Sequence, residues 1–132
     1  MVIYLHFILL STSFNSKISG CCFSFIAFNI FLAPMAGYTD IAFRHLCKKY
    51  GAGLTTTEMI SAKGLIYDSE KTKQLLICSP LEDIKIVQLF GHEPDIIAQA
   101  IQHPVLKDFD IIDINMGCPA PKIIKFIIYH LT

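Results

Sequence analysis

One rhythm constrains the fold of this chain more than any other feature. From residue 29 onward, short strand-like runs alternate with stretches of helical spacing. The runs are Asn29–Met35 (NIFLAPM), Leu54–Met59 (LTTTEM), Ile84–Phe90 (IKIVQLF) and Asp110–Met116 (DIIDINM), and they start about 25 to 30 residues apart. Apolar runs of this length suit strands of a parallel sheet, and the threonines of the second run favour extended backbone. Thr39 and Asp40 are N-cap candidates for a helix over IAFRHLCKKY, in which Ala42, Phe43, Leu46, Cys47 and Tyr50 recur at helical spacing. Lys48 and Lys49 favour the last turn and Gly51 ends it. Residues 60–80 predict a loop and a short helix around Ser69–Leu76. Glu93 and Pro94 open a further helix with proline in its first position; Ile96, Ile97, Ala100 and Ile101 form its inward face, and Pro104 stops it.

Strictly alternating strand and helix means βαβ units with right-handed crossovers. Two architectures satisfy this: an open doubly wound sheet, or the first half of an eight-fold barrel. The open sheet announces a nucleotide site by a glycine-rich turn after its first strand. The turn here, APMAGYTD, has one glycine. In a barrel, function sits at the carboxyl ends of several strands. Glu58, Gln88, Asn115 and Cys118 all fall at or near such ends. The expected fold class is therefore α/β: about four βα units forming the first half of a TIM (β/α)8 barrel, incomplete in this chain.

Composition narrows the function classes. The 132 residues suffice for one modest domain, and eleven acidic residues balance eleven basic ones. That balance leaves no electrostatic footprint for a polyanion. The five cysteines (Cys21, Cys22, Cys47, Cys78, Cys118) show no paired or zinc-ligand spacing. Neither a disulfide framework nor a metal site is expected, and a reducing cytoplasm is the expected location. Met1–Leu10 and Cys21–Ala36 are apolar, but no basic residue precedes the first run, as a signal peptide requires. The second run, about 16 residues, is shorter than the roughly 20 that span a bilayer, and Pro34 breaks it. No membrane association is expected.

The strand ends carry the chemistry. Pro34, Met35 and Ala36 offer backbone polar groups, a flat ring and a soft thioether without charge, a surface suited either to a flat cofactor ring or to a core-filling turn. Gln88 and Asn115 are amides in otherwise apolar strands; each needs a partner, either the polar edge of a heterocycle or neighbouring backbone. Cys118 stands between Gly117 and Pro119, just beyond the last strand. An unperturbed thiol has a pKa of about 8.5, so it is mostly protonated at neutral pH and can donate a proton as readily as attack. No histidine is adjacent in sequence to act as its base. A small buried hydrophobe is the plainer role, and the expected one for Cys47 and Cys78. Lys122 and Lys125 suit a phosphate or plain solvation. Glu58 and Asp113 suit ligand contacts or lysine partners.

Four stretches carry a resemblance: LAPMAGYTDIAFR (Leu32–Arg44), GAGLTTTEMIS (Gly51–Ser61), VQLFG (Val87–Gly91) and DINMGCPAPK (Asp113–Lys122). In order and spacing they resemble the N-terminal half of the tRNA-dihydrouridine synthases, over roughly Asn29 to Lys125. The resemblance implies an FMN enzyme with an eight-fold barrel and a helical RNA-binding domain, reducing uridine in tRNA to dihydrouridine with NADPH. It implies that Cys118 is the catalytic proton donor and that Pro34, Met35, Ala36, Gln88 and Asn115 contact the flavin. The substrate partner so implied is tRNA.

Two stretches depart from the family pattern. Residues 1–28 form an atypical apolar segment, and residues 126–132 (FIIYHLT) a divergent tail, flanking the half-barrel of residues 29–125. Both suggest a truncated or frameshifted reading frame. A sheet of four parallel strands alone leaves two edges unpaired and an apolar face open to water. The expectation is thus an inactive or partial synthase fragment. The alternatives are a non-catalytic remnant or interaction fragment, and another FMN barrel acting on dihydropyrimidines or dihydroorotate.

Overall fold

The computed structural model describes residues 6–10 and 30–117. In chain order these form β1 (His6–Leu10), β2 (Phe31–Leu32), α1 (Ile41–Lys49), β3 (Leu54–Ser61), α2 (Ala62–Ile66), α3 (Glu70–Leu75), β4 (Ile86–Phe90), α4 (Pro94–Ile101), a 3-10 turn (Pro104–Asp108) and β5 (Ile111–Asn115). One sheet takes the order β1-β5-β4-β3-β2. β2 through β5 are parallel, as the sequence rhythm requires. β1 runs antiparallel to β5, with His6 opposite Asn115 and Leu10 opposite Ile111. The expectation of two open edges is corrected here: β1 satisfies the ladder groups of β5 that a purely parallel four-stranded sheet leaves unpaired.

Alternation along the strands divides the interior. On one face Ile60, Val87, Leu89 and Ile112 meet Ala62, Leu65, Leu76, Ala100, Leu106 and Phe109 from the helical layer. On the other, Ile86 and Ile111 pack with Leu54 and Ile84. The expected inward face of α4 holds, with Ala100 buried and Ile96, Ile97 and Ile101 packed against the first cluster. Glu93 occupies its N-cap position, followed by Pro94.

Two expectations are corrected. The first strand is far shorter than Asn29–Met35; Asn29 lies outside the described residues. β2 pairs with β3 only through Phe31 opposite Leu54 and Leu32 opposite Thr55. Pro34 has no N–H to continue a ladder, and the chain turns at once, Tyr38 N and Thr39 N both donating to the Met35 carbonyl at 3.0 Å. The second correction concerns α1. Asp40 caps it as expected, accepting from Phe43 N at 2.8 Å. Its apolar flank is nonetheless exposed: Ile41, Phe43, Leu46 and Tyr50 all lie open to solvent. The buried residue of this helix is Arg44, 1% exposed.

Arg44 is tolerated inside because its donors have acceptors. Nε donates to Glu82 Oε1 at 2.7 Å, and the two terminal nitrogens donate to the carbonyls of Thr39 and Ile77, each at 2.7 Å. Glu82 also accepts from Thr55 Oγ1 at 2.8 Å and from Ser79 N at 2.5 Å. Burial pushes the Glu82 carboxyl upward, but the bonds from Arg44, Ser79 and Thr55 prevail and hold it below the usual carboxylate range. This network ties α1, β3 and the 77–82 loop together.

Because the folded-state pKa of Glu82 is depressed, its contribution is complete above its ordinary pKa of 4.5 and is lost as pH falls below that value. Removing one charge from such a buried pair costs about 3–5 kcal/mol. Denaturant titration of Glu82→Gln at pH 7 should show that loss, and the gap from the unmodified chain should narrow as the buffer is taken below pH 4.5.

Candidate functional site

The carboxyl ends of β2 to β5 lie together because the strands are parallel and adjacent. At β2, Pro34 is half-buried, while Met35 (41% exposed) and Ala36 present themselves to solvent. The Thr39 hydroxyl braces the turn that holds them, accepting from Met35 N at 3.0 Å and donating to Met35 O at 3.2 Å. Gly37 sits at φ +80°, where only glycine is unstrained, and its N–H donates to the Glu58 carboxylate.

Glu58 reaches that turn because β3 carries a bulge. Thr56 pairs with Ile86 and Met59 with Gln88, so three steps on β3 oppose two on β4. Burial follows the slip: Thr55 and Thr57 are buried before it, Ile60 after it. The Glu58 carboxylate thus accepts from the backbone of the β2 turn, and among the described residues no lysine is bonded to it.

Gln88 lies in the middle of the buried run of β4 and is 0% exposed. Its backbone N–H donates to Thr57 Oγ1 at 3.3 Å. Its side chain donates through Nε2 to Asp113 Oδ2 at 2.7 Å and accepts at Oε1 from Asn115 Nδ2 at 3.1 Å. Asn115 Oδ1 accepts from Gly117 N at 3.0 Å. Asn115 is half-buried, and a side-chain amide has two N–H donors, so one remains after its bond to Gln88. The two amides singled out by sequence are therefore brought into contact, with Asp113 joined to them. Cys118, Lys122 and Lys125 lie outside the described residues.

A cavity of about 500 Å³ opens over the ends of β4 and β5, walled by α4. Asn115, Met116, Gly117, Phe90 and His92 line it, whereas Pro34, Met35, Ala36 and Gln88 do not. Its rim is charged: Glu93 Oε1 lies 2.8 Å from Lys63 Nζ and 2.9 Å from His92 Nε2. The hydrogen bond and charge of Glu93 raise the pKa of the exposed Lys63. Sequence reading gave Lys63, His92 and Glu93 no place in the site, and took Glu93 only as the start of a helix. The available signal was positional, since His92 and Glu93 follow β4 directly and so belong to a loop at the carboxyl end. A smaller cavity of about 170 Å³, lined by Leu65, Thr72, Leu76, His103 and Val105, lies among the helices and away from the strand ends.

The two remaining described cysteines are half-buried. Burial pushes the Cys78 thiol up, and Glu82 adds to this, so it is unsuited to act as a thiolate. Among the described residues no group of three or more histidine, cysteine or acidic side chains could hold a metal, and no helix is long and apolar enough to cross a membrane.

The sequence model of the dihydrouridine synthases (Dus) matches residues 31–127. This chain belongs to the dihydrouridine synthase family. A tRNA-dihydrouridine synthase B of Shewanella oneidensis is 48% identical over 96 residues, 73% of this chain and 30% of that protein. The corresponding protein of Pasteurella multocida is 50% identical over 94 residues, 71% of this chain and 28% of its own. That of Vibrio cholerae is 42% identical over 97 residues, 74% and 30% respectively. The chain thus spans about 30% of the length of these curated relatives. Dihydrouridine synthases are TIM barrels, and the four parallel strands with their helices are part of one.

The Gly37 turn offers a direct check on the dihydrouridine synthase strand end. An added Cβ meets nothing within 4 Å, so its cost is conformational alone. Gly37→Ala should lose about 1–2 kcal/mol, the cost of a left-handed L-residue, in thermal or denaturant unfolding.

Proposed function

We propose that this chain carries the N-terminal, flavin-contacting part of an FMN-dependent tRNA-dihydrouridine synthase, within the unit 29–125. The observation that carries the reading is the hydrogen-bonded pair Gln88–Asn115 at adjacent strand ends. The residues present fit a flavin ring by the chemistry of their donors. Met35 offers an exposed thioether, Asn115 keeps an amide N–H, and neither introduces a charge.

In this reading Pro34, Met35 and Ala36 support the ring from the end of β2, while Asn115, steadied by Gln88, orients its polar edge. FMN held by these residues would supply hydride for the reduction of a uracil in tRNA at C6, with NADPH as the source of electrons. Cys118 holds the proton that C5 receives, a role for which a neutral thiol is suited. Relatives named tRNA-dihydrouridine synthase support tRNA as substrate, and the cytoplasm is the proposed place of action. NADPH oxidation and tRNA reduction are proposed for the whole enzyme, of which this chain spans a part; by itself the chain is proposed to be catalytically inactive or partial.

A second reading, a non-catalytic interaction fragment, is favoured by one surface. Ile30, Tyr38, Ile41, Phe43, Leu46 and Tyr50 are all exposed along β2 and α1, more than a single scattered side chain.

Titration of the purified chain with FMN separates the two. Saturable quenching of flavin fluorescence is expected. Asn115→Ala should raise Kd about tenfold, the equivalent of one ordinary hydrogen bond. No bound flavin band at excess FMN would remove the cofactor claim for this chain and leave the interaction reading.

A further inference from the structure

Asp113 is a buried carboxylate that the proposed chemistry does not use. In the β4–β5 ladder it stands opposite Gln88. A carboxylate only accepts hydrogen bonds. The Gln88 amide must therefore turn its NH2 toward Asp113, and Nε2 donates to Oδ2 at 2.7 Å. That orientation leaves Gln88 Oε1 facing Asn115, so Asn115 must in turn present its NH2, at 3.1 Å. Asn115 Oδ1 then faces the N–H of Gly117, at 3.0 Å. Each amide has one orientation that matches donor to acceptor at both ends. Reversing either would set donor against donor or acceptor against acceptor.

Each amide is donor and acceptor at once, so the polarity of the pair is set by the groups at its two ends, the acceptor-only carboxylate of Asp113 and the donor-only N–H of Gly117. We infer that Asp113 is a positioning residue, whose negative charge sets the direction of the Gln88–Asn115 chain and thereby fixes the backbone N–H of Gly117. Gly117 immediately precedes Cys118 in the sequence. The carboxylate also leaves the second Nδ2–H of Asn115 for a ligand, its first being held by Gln88. A ligand at that point is thus met by a donor, which selects a heterocycle edge bearing an acceptor. The use of this device rests on the proposed flavin site. The hydrogen-bond chain itself does not.

The test is made without FMN, so that it stands or falls apart from cofactor binding. Amide exchange of the full chain by NMR should find Gly117 protected, with slowed exchange of the Gln88 side-chain NH2. Asp113→Asn keeps the shape but lets the terminal group flip. It should speed Gly117 exchange at least about tenfold while Val87 and Ile112, in the ladder, keep their rates. Unchanged Gly117 exchange would overturn the proposal. So would equal acceleration at Val87 and Ile112, which marks a merely structural carboxylate. If Asp113→Asn does not fold, the unmodified chain decides: a Gln88 side-chain amide exchanging as fast as a free one excludes the device, and protection supports it.

Discussion

The register of β4 between its two parallel neighbours governs everything at the strand ends. Gln88 stands opposite Met59 on one side and Asp113 on the other. A shift of one residue would turn its amide into the helix-facing core and bring Val87 or Leu89 to the polar face. The register is held by apolar packing on both faces, with Val87 and Leu89 fully buried on one and Ile86 buried with Ile111 on the other. The polar contacts at the carboxyl end are therefore consequences of a ladder fixed by hydrophobic burial. They are not its cause.

Two further devices rest on that ladder. The bulge in β3 absorbs one residue between Thr56 and Met59, which brings Glu58 to the β2 turn while Ile60 returns to the core. The buried pair Arg44–Glu82 anchors α1 to β3 and the 77–82 loop, although the apolar flank of that helix stays exposed. A helix placed by a charged anchor and bare on its apolar side is unusual for an isolated domain. It accords with a chain that spans about 30% of its relatives' length.

Much of this was legible beforehand. Parallel strands and intervening helices followed from period and punctuation, the helix start at Asp40 from capping chemistry, and the start at Glu93 from the proline that follows it. Gln88 and Asn115 stood out because amides are rare in apolar runs, and the structure joins them. Asp113 and Glu58 were noticed without a partner assigned, since their partners lie 25 and 21 residues away in sequence. The α1 face was misjudged for a related reason: helical spacing identifies an apolar stripe but not whether anything packs on it.

Sequence by itself determined the βα order, the family and the residue types available at each strand end, because these depend on local period, turn chemistry and motif. Only the tertiary structure decided that Asp113, Gln88, Asn115 and Gly117 join in one hydrogen-bonded chain, that Arg44 is the buried residue of its helix, and that β1 runs antiparallel along β5. The physical reason is that hydrogen-bond direction and edge pairing are set between distant segments. A donor, an acceptor and an open edge acquire meaning only when the fold has placed them side by side.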